Sequence, residues 1–545
     1  MTDVVLADFL AMGTMGRSHL ILAAQSAFRV AERGGDPGAA ALGARLLCLA
    51  WGEFPLDGAM ATQLVRLSGA VPAVAGVLTE FGLQLAARVA RADNGGNLPE
   101  AGQLFASGEY EEMGRCFETA VSRGPVLPVI RQAMHFQGIL SNFAWLERFL
   151  ERTLLPVDPE LGELLLADVW LSGGMYGQAV GTLGKMVARS GHSVWGVKLA
   201  AALAGAGRIE RAMNVLVRVL EDFPDHTTAL LLLDSLAFPA RRDVGLDGKC
   251  AVSIYSFNKS EELGRTLESV LASNLGPEVG DVTVRVLVNG STDDSRAVAE
   301  AARDRFGGNM EIVVLPVNVG APAARNWLLD AALREGARWI AFLDDDVLVP
   351  RDWLAGLAAG VKDFPEAGVW GCRVADVRSP SLVQHGDGFL LPQDEAARRG
   401  GRFSLQEPCV EVMAESLLGY RRYAASVTGC CHLFETDSLA GSGGFDLLFS
   451  PSQFDDLDLD LRRLRQGRLA AYLGDLRITH LRESTHFLKL SEGAAARSEM
   501  HRHLLEERHA PVWSELCAIQ RAAVRADLTA RRERLQRSGF LPDNS

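Results

Sequence analysis

The stretch "RWIAFLDDDVLVPRDWL", residues 338–354, joins a short apolar run to three consecutive carboxylates. The apolar run predicts a β-strand, so Asp344, Asp345 and Asp346 follow its carboxyl end, which is where ligands gather in an open α/β sheet. Residues two apart in an extended segment point the same way. We therefore expect Asp344 and Asp346 to converge while Asp345 faces elsewhere.

Three adjacent carboxylates repel one another and resist full ionisation. A hard divalent cation would offset this repulsion, because Mg²⁺ and Mn²⁺ prefer oxygen ligands and Mg²⁺ is typically held by one or two carboxylates plus substrate phosphates. The triplet therefore predicts a site for Mn²⁺ or Mg²⁺ that carries a diphosphate. The alternative is a solvated acidic turn or a helix cap before "PRDWL".

The region around the triplet alternates between strand and helix patterns. Strand-like runs such as "CAVSIYSFN" (250–258) and "MEIVVLPVN" (310–318) are separated by amphipathic segments. This alternation is typical of βαβ units on a mainly parallel sheet. Before about Pro239 the chain is instead rich in Ala and Leu with helical spacing of its apolar residues, which predicts an all-α region.

A period of 33 residues appears in the helical region. Gly108, Gly174 and Gly207 share a register that places a missing member at Ser141, and Phe143 then matches the aromatic residues that follow two of the glycines. The pattern resembles tetratricopeptide-type repeats, whose stacked helix pairs form concave surfaces that usually bind protein. An irregular helical bundle is the alternative.

These patterns divide the chain into four regions. We expect a helical N-terminal region at 1–97, tetratricopeptide-like repeats at 98–238, an α/β domain at 249–486 and a helical extension at 487–545. The predicted fold class is an α/β domain with a mainly parallel sheet, preceded by an all-α domain.

Composition and charge argue against several classes of function. The chain of 545 residues has a formal net charge of −13, which gives no basic surface for nucleic acid. Its eight cysteines show no CxxC pair, so we interpret them as buried thiols in a reducing compartment. We recognise no signal peptide and no apolar run of about 18–20 residues. These features predict a cytoplasmic protein.

The C-terminal run "ARRERLQRSGF" concentrates basic residues. It predicts either a solvated helix face or weak docking on an anionic membrane surface, so peripheral attachment at the inner face of the membrane stays open.

Motifs along the α/β region resemble those of the family 2 glycosyltransferases, which have the GT-A fold. Six pieces follow in the family's order: "VSIYSFNK" (252–259), "TLESVLAS" (266–273), "LVNGSTDDS" (287–295), "NVGAPAARN" (318–326), the DxD at Asp344 and Asp346, and "GGFDLLFSPSQFDDLDLDLRR" (443–463) with "RITH" ending at His480. The resemblance covers about 251–484, under half of the chain.

The resemblance implies a metal-dependent, inverting transfer of a sugar from a nucleotide-diphosphate sugar, expected to be a UDP-sugar, to a hydroxyl of a protein or surface-glycan acceptor. The divalent metal stabilises the leaving diphosphate, and a base takes the acceptor proton. By the family pattern Asp456 is the general base and Asp455 takes the neighbouring Glu position. An acidic helix start is the alternative for this pair.

The resemblance also assigns the remaining site residues. Metal binding falls to Asp344, Asp346 and His480, with His486 as a nearby competitor. Nucleotide-sugar binding falls to Ser256, Asn258, Asn289, Asn318, Arg325, Asp344 and Asp345. Asn289 stands in the turn where the family usually has Asp, so the preferred base is open.

The sequence also bears on other enzyme classes, on an unmatched stretch and on a competing function. A dinucleotide-binding enzyme is disfavoured, because "SFNKSEELG" follows the first strand where GxGxxG would stand. The stretch 378–428 has no family match and is a candidate acceptor lid. A non-catalytic repeat scaffold with a nucleotide-sugar-binding domain is the competing function.

Overall fold

The structure is a computed structural model that describes residues 4–13, 16–93, 96–124, 126–276, 278–379, 381–392, 404–406, 415–481 and 492–542. The chain divides into two compact units. The first contains mainly Met1–Ala237 together with the end of the chain from Leu528, and the second contains Phe238–Glu407 and Leu418–Asp527.

The first unit is helical. Its helices are α1 (Val4–Met12), α2 (Arg17–Gly34), α3 (Pro37–Glu53), α4 (Gly58–Ser68), α5 (Pro72–Ala92), α6 (Pro99–Ser107), α7 (Tyr110–Val121), α8 (Val126–Ile139), α9 (Phe143–Thr153), α10 (Pro159–Ser172), α11 (Tyr176–Ser190), α12 (Gly196–Gly205), α13 (Ile209–Asp222) and α14 (Thr227–Ala237). Aspartates begin several of them: Asp36, Asp57 and Asp158 each accept a hydrogen bond from a backbone N–H of the first turn.

The 33-residue register corresponds to a recurring left-handed turn. It separates α6 from α7, α8 from α9, α10 from α11 and α12 from α13. The register residues have positive φ: Gly108 (82°), Ser141 (52°), Gly174 (73°) and Gly207 (73°). Glycine adopts this conformation freely, whereas an L-residue is strained by about 1–2 kcal/mol. Four helix pairs therefore recur, and their assignment as tetratricopeptide repeats stays a prediction.

One helix of the described part, α5, is long and apolar enough to cross a membrane by length and composition. The apolar pattern of the sequence predicts no run of that length, so this helix differs from the expectation. Within the unit, the side chains of Leu78 and Leu85 on this helix are fully buried.

The second unit is built on a ten-stranded mixed sheet and a separate two-stranded ribbon. Its strands are β1 (Lys249–Ser256), β2 (Asp281–Asn289), β3 (Met310–Leu315), β4 (Trp339–Leu343), β5 (Val347–Leu348), β6 (Val369–Asp376), β7 (Val383–His385), β8 (Phe389–Leu391), β9 (Ser404–Gln406), β10 (Arg421–Ala424), β11 (Cys431–Glu435) and β12 (Ala470–His480). The main order is β10-β12-β6-β11-β4-β1-β2-β3, with β5 on β12 and β7 on β6, while β8 and β9 form the ribbon.

Strand direction places the ends of the parallel strands on one edge. β3, β2, β1, β4, β6 and β12 run the same way, and β11 lies antiparallel between β4 and β6. The chain order switches at β1, since β2 and β3 lie on one side of it and β4 on the other. Such a switch point leaves a crevice at the carboxyl ends of the strands. The predicted fold class, an α/β domain after an all-α region, is confirmed.

Helices cover both faces of the sheet. They are α15 (Ser260–Leu271), α16 (Ser295–Arg305), α17 (Ala321–Arg334), α18 (Trp353–Asp363), α19 (Thr436–Gly441), α20 (Asp455–Arg465), α21 (Glu492–His509) and α22 (Trp513–Arg537). α15, α16 and α18 share a core with Ile254 and Val286. α17 lies on the other face, because the ring of Tyr255, which alternates with Ile254, lies 5.1 Å from the Arg325 guanidinium of that helix.

The C-terminal helices pack in two places. Leu505 of α21 and Trp513 of α22 share a core with Leu461 of α20. At the far end of α22, Arg531 and Arg534 both lie 2.5 Å from the buried Asp234 carboxylate, within the first unit. Both arginines are therefore paired within the first unit, and the Arg534 side chain is also partly exposed.

Candidate active site

The three aspartates form a turn after β4 instead of extending the strand. Lys259, just before α15, places its Nζ 3.0 Å from Asp345 Oδ1 and 2.7 Å from Asp346 Oδ2. Strict alternation of side chains holds only in extended backbone, and these residues form a turn. Asp345 therefore does not face away from Asp346; both carboxylates contact the Lys259 ammonium. Thr266 fixes the turn from α15, since its hydroxyl donates to the Asp345 carbonyl at 2.9 Å.

His480 at the end of β12 closes the opposite side of the triplet. Its Nε2 lies 3.0 Å from Asp346 Oδ1 and its Nδ1 lies 2.7 Å from Gln384 Oε1. Gln384 donates through Nε2 to Asp376 at 2.8 Å, and this bond fixes which end of its amide meets the imidazole. The pairing of β12 with β5 brings His480 opposite Val347, next to the triplet.

Burial and neighbouring charge shift the titration of the triplet in opposite directions. Burial raises the pKa of Asp345 to about 6, against the lowering effect of Lys259. Burial also raises the pKa of Asp346, but His480 and Lys259 outweigh it and hold this pKa well below the ordinary value. Burial lowers the pKa of Lys259, but the two carboxylates outweigh it and raise this pKa. Asp346 is therefore ionised and Lys259 is protonated near neutral pH.

Arg325 on α17 connects the triplet to α20. Its Nη2 donates to Asp344 Oδ1 at 3.2 Å and its Nη1 to Asp455 Oδ2 at 2.6 Å. Tyr255 also donates to Asp344, at 3.1 Å. Burial raises the pKa of Asp455 to about 6, although the guanidinium acts against it. Arg325 thus orients two carboxylates.

Asp456 is half-buried in the first turn of α20. Its Oδ2 accepts from the Gly429 backbone N–H at 2.7 Å, and the Gly429 carbonyl accepts from Arg325 at 3.4 Å. One turn later, Asp460 Oδ2 accepts from the Ser426 hydroxyl at 2.7 Å and from the Val427 N–H at 3.1 Å. Two carboxylates of α20 therefore hold the loop between β10 and β11 beside Arg325.

The residues assigned to the nucleotide mostly bind other parts of the chain. Asn289 is buried; its Nδ2 donates to Asn318 Oδ1 at 2.9 Å and its Oδ1 accepts from Val319 at 3.0 Å. Asn258 is exposed, and its Oδ1 accepts from the Thr292 N–H at 2.8 Å. Ser256 is fully buried at the end of β1. These contacts fix the loops around the crevice and hold the Asn289 amide in place.

The helical extension contributes contacts that no sequence motif indicated. Asp458 on α20 is fully buried and accepts from Arg462, Arg508 and His509, each at 2.9 Å. Arg508 also pairs with Asp446 at 2.7 Å. α21 therefore holds both the start of the loop 446–454 and the helix that carries Asp455 and Asp456.

A divalent cation fits the chemistry of this cluster. Ligand atoms of Asp344, Cys430 and His480 lie within 4.8 Å of one another, and His480 also contacts Asp346. Carboxylate oxygens and imidazole suit Mn²⁺. Burial raises the pKa of the Cys430 thiol well above its ordinary value, so this residue is neutral and a poor ligand. Asp344, Asp346 and His480 are the described residues of the predicted set that could hold such a cation, while His486 lies outside the described residues.

Comparison with known proteins identifies the α/β domain. Residues 251–424 match the model of glycosyl transferase family 2. The chain therefore contains a family 2 glycosyltransferase domain, and the resemblance drawn from the motifs is confirmed. No curated protein matches the chain significantly.

Solved glycosyltransferase structures are similar only at a distance. One, described as the crystal structure of GalNAc-T7 with UDP, GalNAc and Mn²⁺, is 12% identical, covers 54% of this chain and 58% of its own, and has a TM-score of 0.34. Another, S. aureus TarS, is 17% identical, covers 48% of this chain and 43% of its own, and has a TM-score of 0.30. The chain thus matches less than two thirds of either protein.

Proposed function

We propose that this protein is a metal-dependent, inverting glycosyltransferase that moves a sugar from a nucleotide-diphosphate sugar to a hydroxyl of a protein or surface-glycan acceptor. The observation that carries the proposal is that one arginine contacts both the aspartate triplet and the acidic start of α20. Arg325 contacts Asp344 of the triplet and Asp455 beside Asp456, so donor-side and acceptor-side carboxylates lie around one guanidinium.

On the donor side, the triplet supplies carboxylates that would hold a cation. A bound divalent cation would stabilise the negative charge that develops on the leaving diphosphate. Asp344, Asp346 and His480 would hold it, and Gln384 keeps Nε2 of His480 directed at the triplet. Lys259 places positive charge beside Asp346, and Arg325 places positive charge beside Asp344.

On the acceptor side, Asp456 is the residue available to act as base. Asp455 is bound to Arg325 and buried, whereas Asp456 is half-buried and bound only by backbone N–H groups. The acceptor oxygen attacks the anomeric carbon, the bond from that carbon to the diphosphate oxygen breaks, and the acceptor proton passes to Asp456. The displacement occurs once and so inverts the anomeric configuration.

The donor base is proposed to be uracil. Asn318 and Val319 hold the Asn289 amide, which keeps a second N–H and a second oxygen lone pair for a contact with the base. The exposed side chains of Phe257 and Val317 follow β1 and β3 and offer apolar surface for a base. The acceptor lid proposed at 378–428 is described only in part, by β7 to β10 and the segments beside them.

The helical pairs and the thiols suggest the setting of the reaction. We propose that the four helix pairs bind a protein partner or the acceptor protein itself. The seven cysteines among the described residues form no disulfide with one another, and all but Cys116 are buried, which agrees with a reducing, cytoplasmic compartment. Cys409 lies outside the described residues.

Hydrolysis of a panel of nucleotide-sugars with Mn²⁺ tests the proposal. Native protein should release nucleoside diphosphate from one donor, and Asp456→Asn should lower that rate by about 10²–10⁴-fold. Asp437→Asn is the matched control, because Asp437 is an exposed carboxylate in the first turn of α19. Tight donor binding with equal inactivity of native protein and Asp456→Asn would support the non-catalytic scaffold instead.

A further inference from the structure

Lys259 neutralises Asp346, one of the carboxylates proposed to hold the cation. Its ammonium contacts Asp345 at 3.0 Å and Asp346 at 2.7 Å, while its side chain remains 37% exposed. The contact with Asp346 uses Oδ2, and His480 uses Oδ1 of the same carboxylate. Both oxygens of Asp346 are therefore engaged before any metal arrives.

The two partners of Asp346 differ in how firmly they are held. His480 lies on β12, and Gln384, itself bound to Asp376, fixes its ring. Lys259 reaches the triplet through a flexible, partly solvated side chain, so it is the partner that can move away at least cost. The ammonium is also a like charge for an incoming divalent cation, and the two repel at short distance.

We propose that Lys259 is an internal counter-ion of Asp346, one of the carboxylates proposed to hold the metal, and that it leaves Asp346 when a divalent metal binds, so that it weakens metal affinity and is released by the metal. The proposal rests on the metal site of the proposed function and goes beyond it by assigning a residue that competes for that site. In the absence of metal, Lys259 offsets the repulsion between Asp345 and Asp346.

Titration of the protein with Mn²⁺ by calorimetry tests the competition directly. Lys259→Met removes the charge at similar length and should bind Mn²⁺ at least about tenfold more tightly, because the competing cation is lost. Lys259→Arg keeps the charge and should stay near the native affinity. Lys249→Met is the matched control, since Lys249 is exposed at the opposite end of β1. Equal or weaker binding in Lys259→Met would overturn the proposal.

Chemical labelling of the native chain gives a second test that needs no variant. Acylation by an amine-reactive ester, read by peptide mass spectrometry, should modify Lys259 several-fold faster at saturating Mn²⁺, because the metal releases the ammonium. Lys249 is the internal control and should not change. A rate at Lys259 that stays constant or falls with Mn²⁺ would overturn the proposal even if the Met variant fails to fold.

The outcomes separate this inference from the proposed function. Tighter Mn²⁺ binding by Lys259→Met without any donor hydrolysis by native protein supports the counter-ion and contradicts the transferase. Hydrolysis that is unaffected by chelation, with no Mn²⁺ binding to either protein, overturns the counter-ion and the metal dependence but leaves the transfer activity in place.

Discussion

The Arg325 guanidinium lies 2.6 Å from the Asp455 carboxylate, although 130 residues separate the two in the chain. Both side chains are buried. The pair joins the helix after β3 to the helix that carries the candidate base, and the second Arg325 nitrogen reaches Asp344. The Arg325 guanidinium therefore sets the spacing between the donor and acceptor sides of the crevice.

Removal of Arg325 should destabilise the protein strongly. Arg325→Gln leaves Asp455 buried without its cation, and loss of one partner of a buried pair costs about 3–5 kcal/mol. Urea unfolding at pH 7.5 measures the change. Arg334→Gln on the same helix is the control, because its pair with Asp330 is exposed and should contribute less than about 0.5 kcal/mol. Equal effects of the two substitutions would contradict the assigned role.

Asp460 should make stability depend on pH. Burial raises its pKa to about 8, so the folded state keeps a proton that the unfolded chain releases near pH 4. Its contribution to stability is therefore full below about pH 4 and is lost as the pH rises to about 8, by up to about 1.4 kcal/mol per pH unit.

Asp460→Asn isolates this effect. Ser426 and Val427 both donate to a single oxygen of Asp460, so an amide oxygen can accept the same two bonds. The variant should be more stable than native protein at pH 8 and should show a flatter slope between pH 5 and pH 8 in urea unfolding. Parallel slopes for the two proteins would show that Asp460 does not titrate in this range.

Arg508 should matter for both stability and activity. Arg508→Gln removes the contacts from α21 to Asp458 and Asp446, and charged hydrogen bonds of this kind contribute about 1.5–3 kcal/mol each. We expect a loss of that order with lower donor hydrolysis. Arg502→Gln on the same helix is the control, because Arg502 pairs only with Glu499 and Glu506. Unchanged hydrolysis in Arg508→Gln would show that α21 does not support the site.

Gln384 should affect metal binding in the direction opposite to Lys259. Gln384→Met removes the acceptor that holds Nδ1 of His480, and loss of such an outer partner typically lowers metal affinity by about 10–100-fold. Calorimetric titration with Mn²⁺ measures it. An affinity equal to that of native protein would mean that β12 alone orients His480.

Local pattern predicted the elements of the α/β domain, because strands and helices there follow apolar periodicity. The 33-residue register predicted four positions that all adopt a left-handed turn, including Ser141. The apolar run before Asp344 predicted β4 and placed the triplet at its end. These features depend on neighbours in sequence, so one sequence is enough to find them.

Contacts across the sheet could not be predicted in the same way. Lys259 and Asp346 are 87 residues apart in the chain, and the pairing of β1 with β4 brings them together. Asn289 and Asn318 are 29 residues apart, yet their amides are hydrogen-bonded because β2 pairs with β3. His509 lies in no recognisable sequence motif, yet it contacts the buried Asp458 because α21 packs on α20. Each of these depends on which elements pack together, and spacing alone does not reveal that.

Calorimetric binding of UDP with Mn²⁺ and with chelator, in native protein and Asp346→Asn, tests the central claim most directly. We predict that native protein binds UDP with Mn²⁺, that chelation weakens binding by tenfold or more, and that Asp346→Asn removes the difference. UDP binding of equal strength in chelator and in Mn²⁺, or no effect of Asp346→Asn on the metal dependence, would contradict a cation held by this triplet.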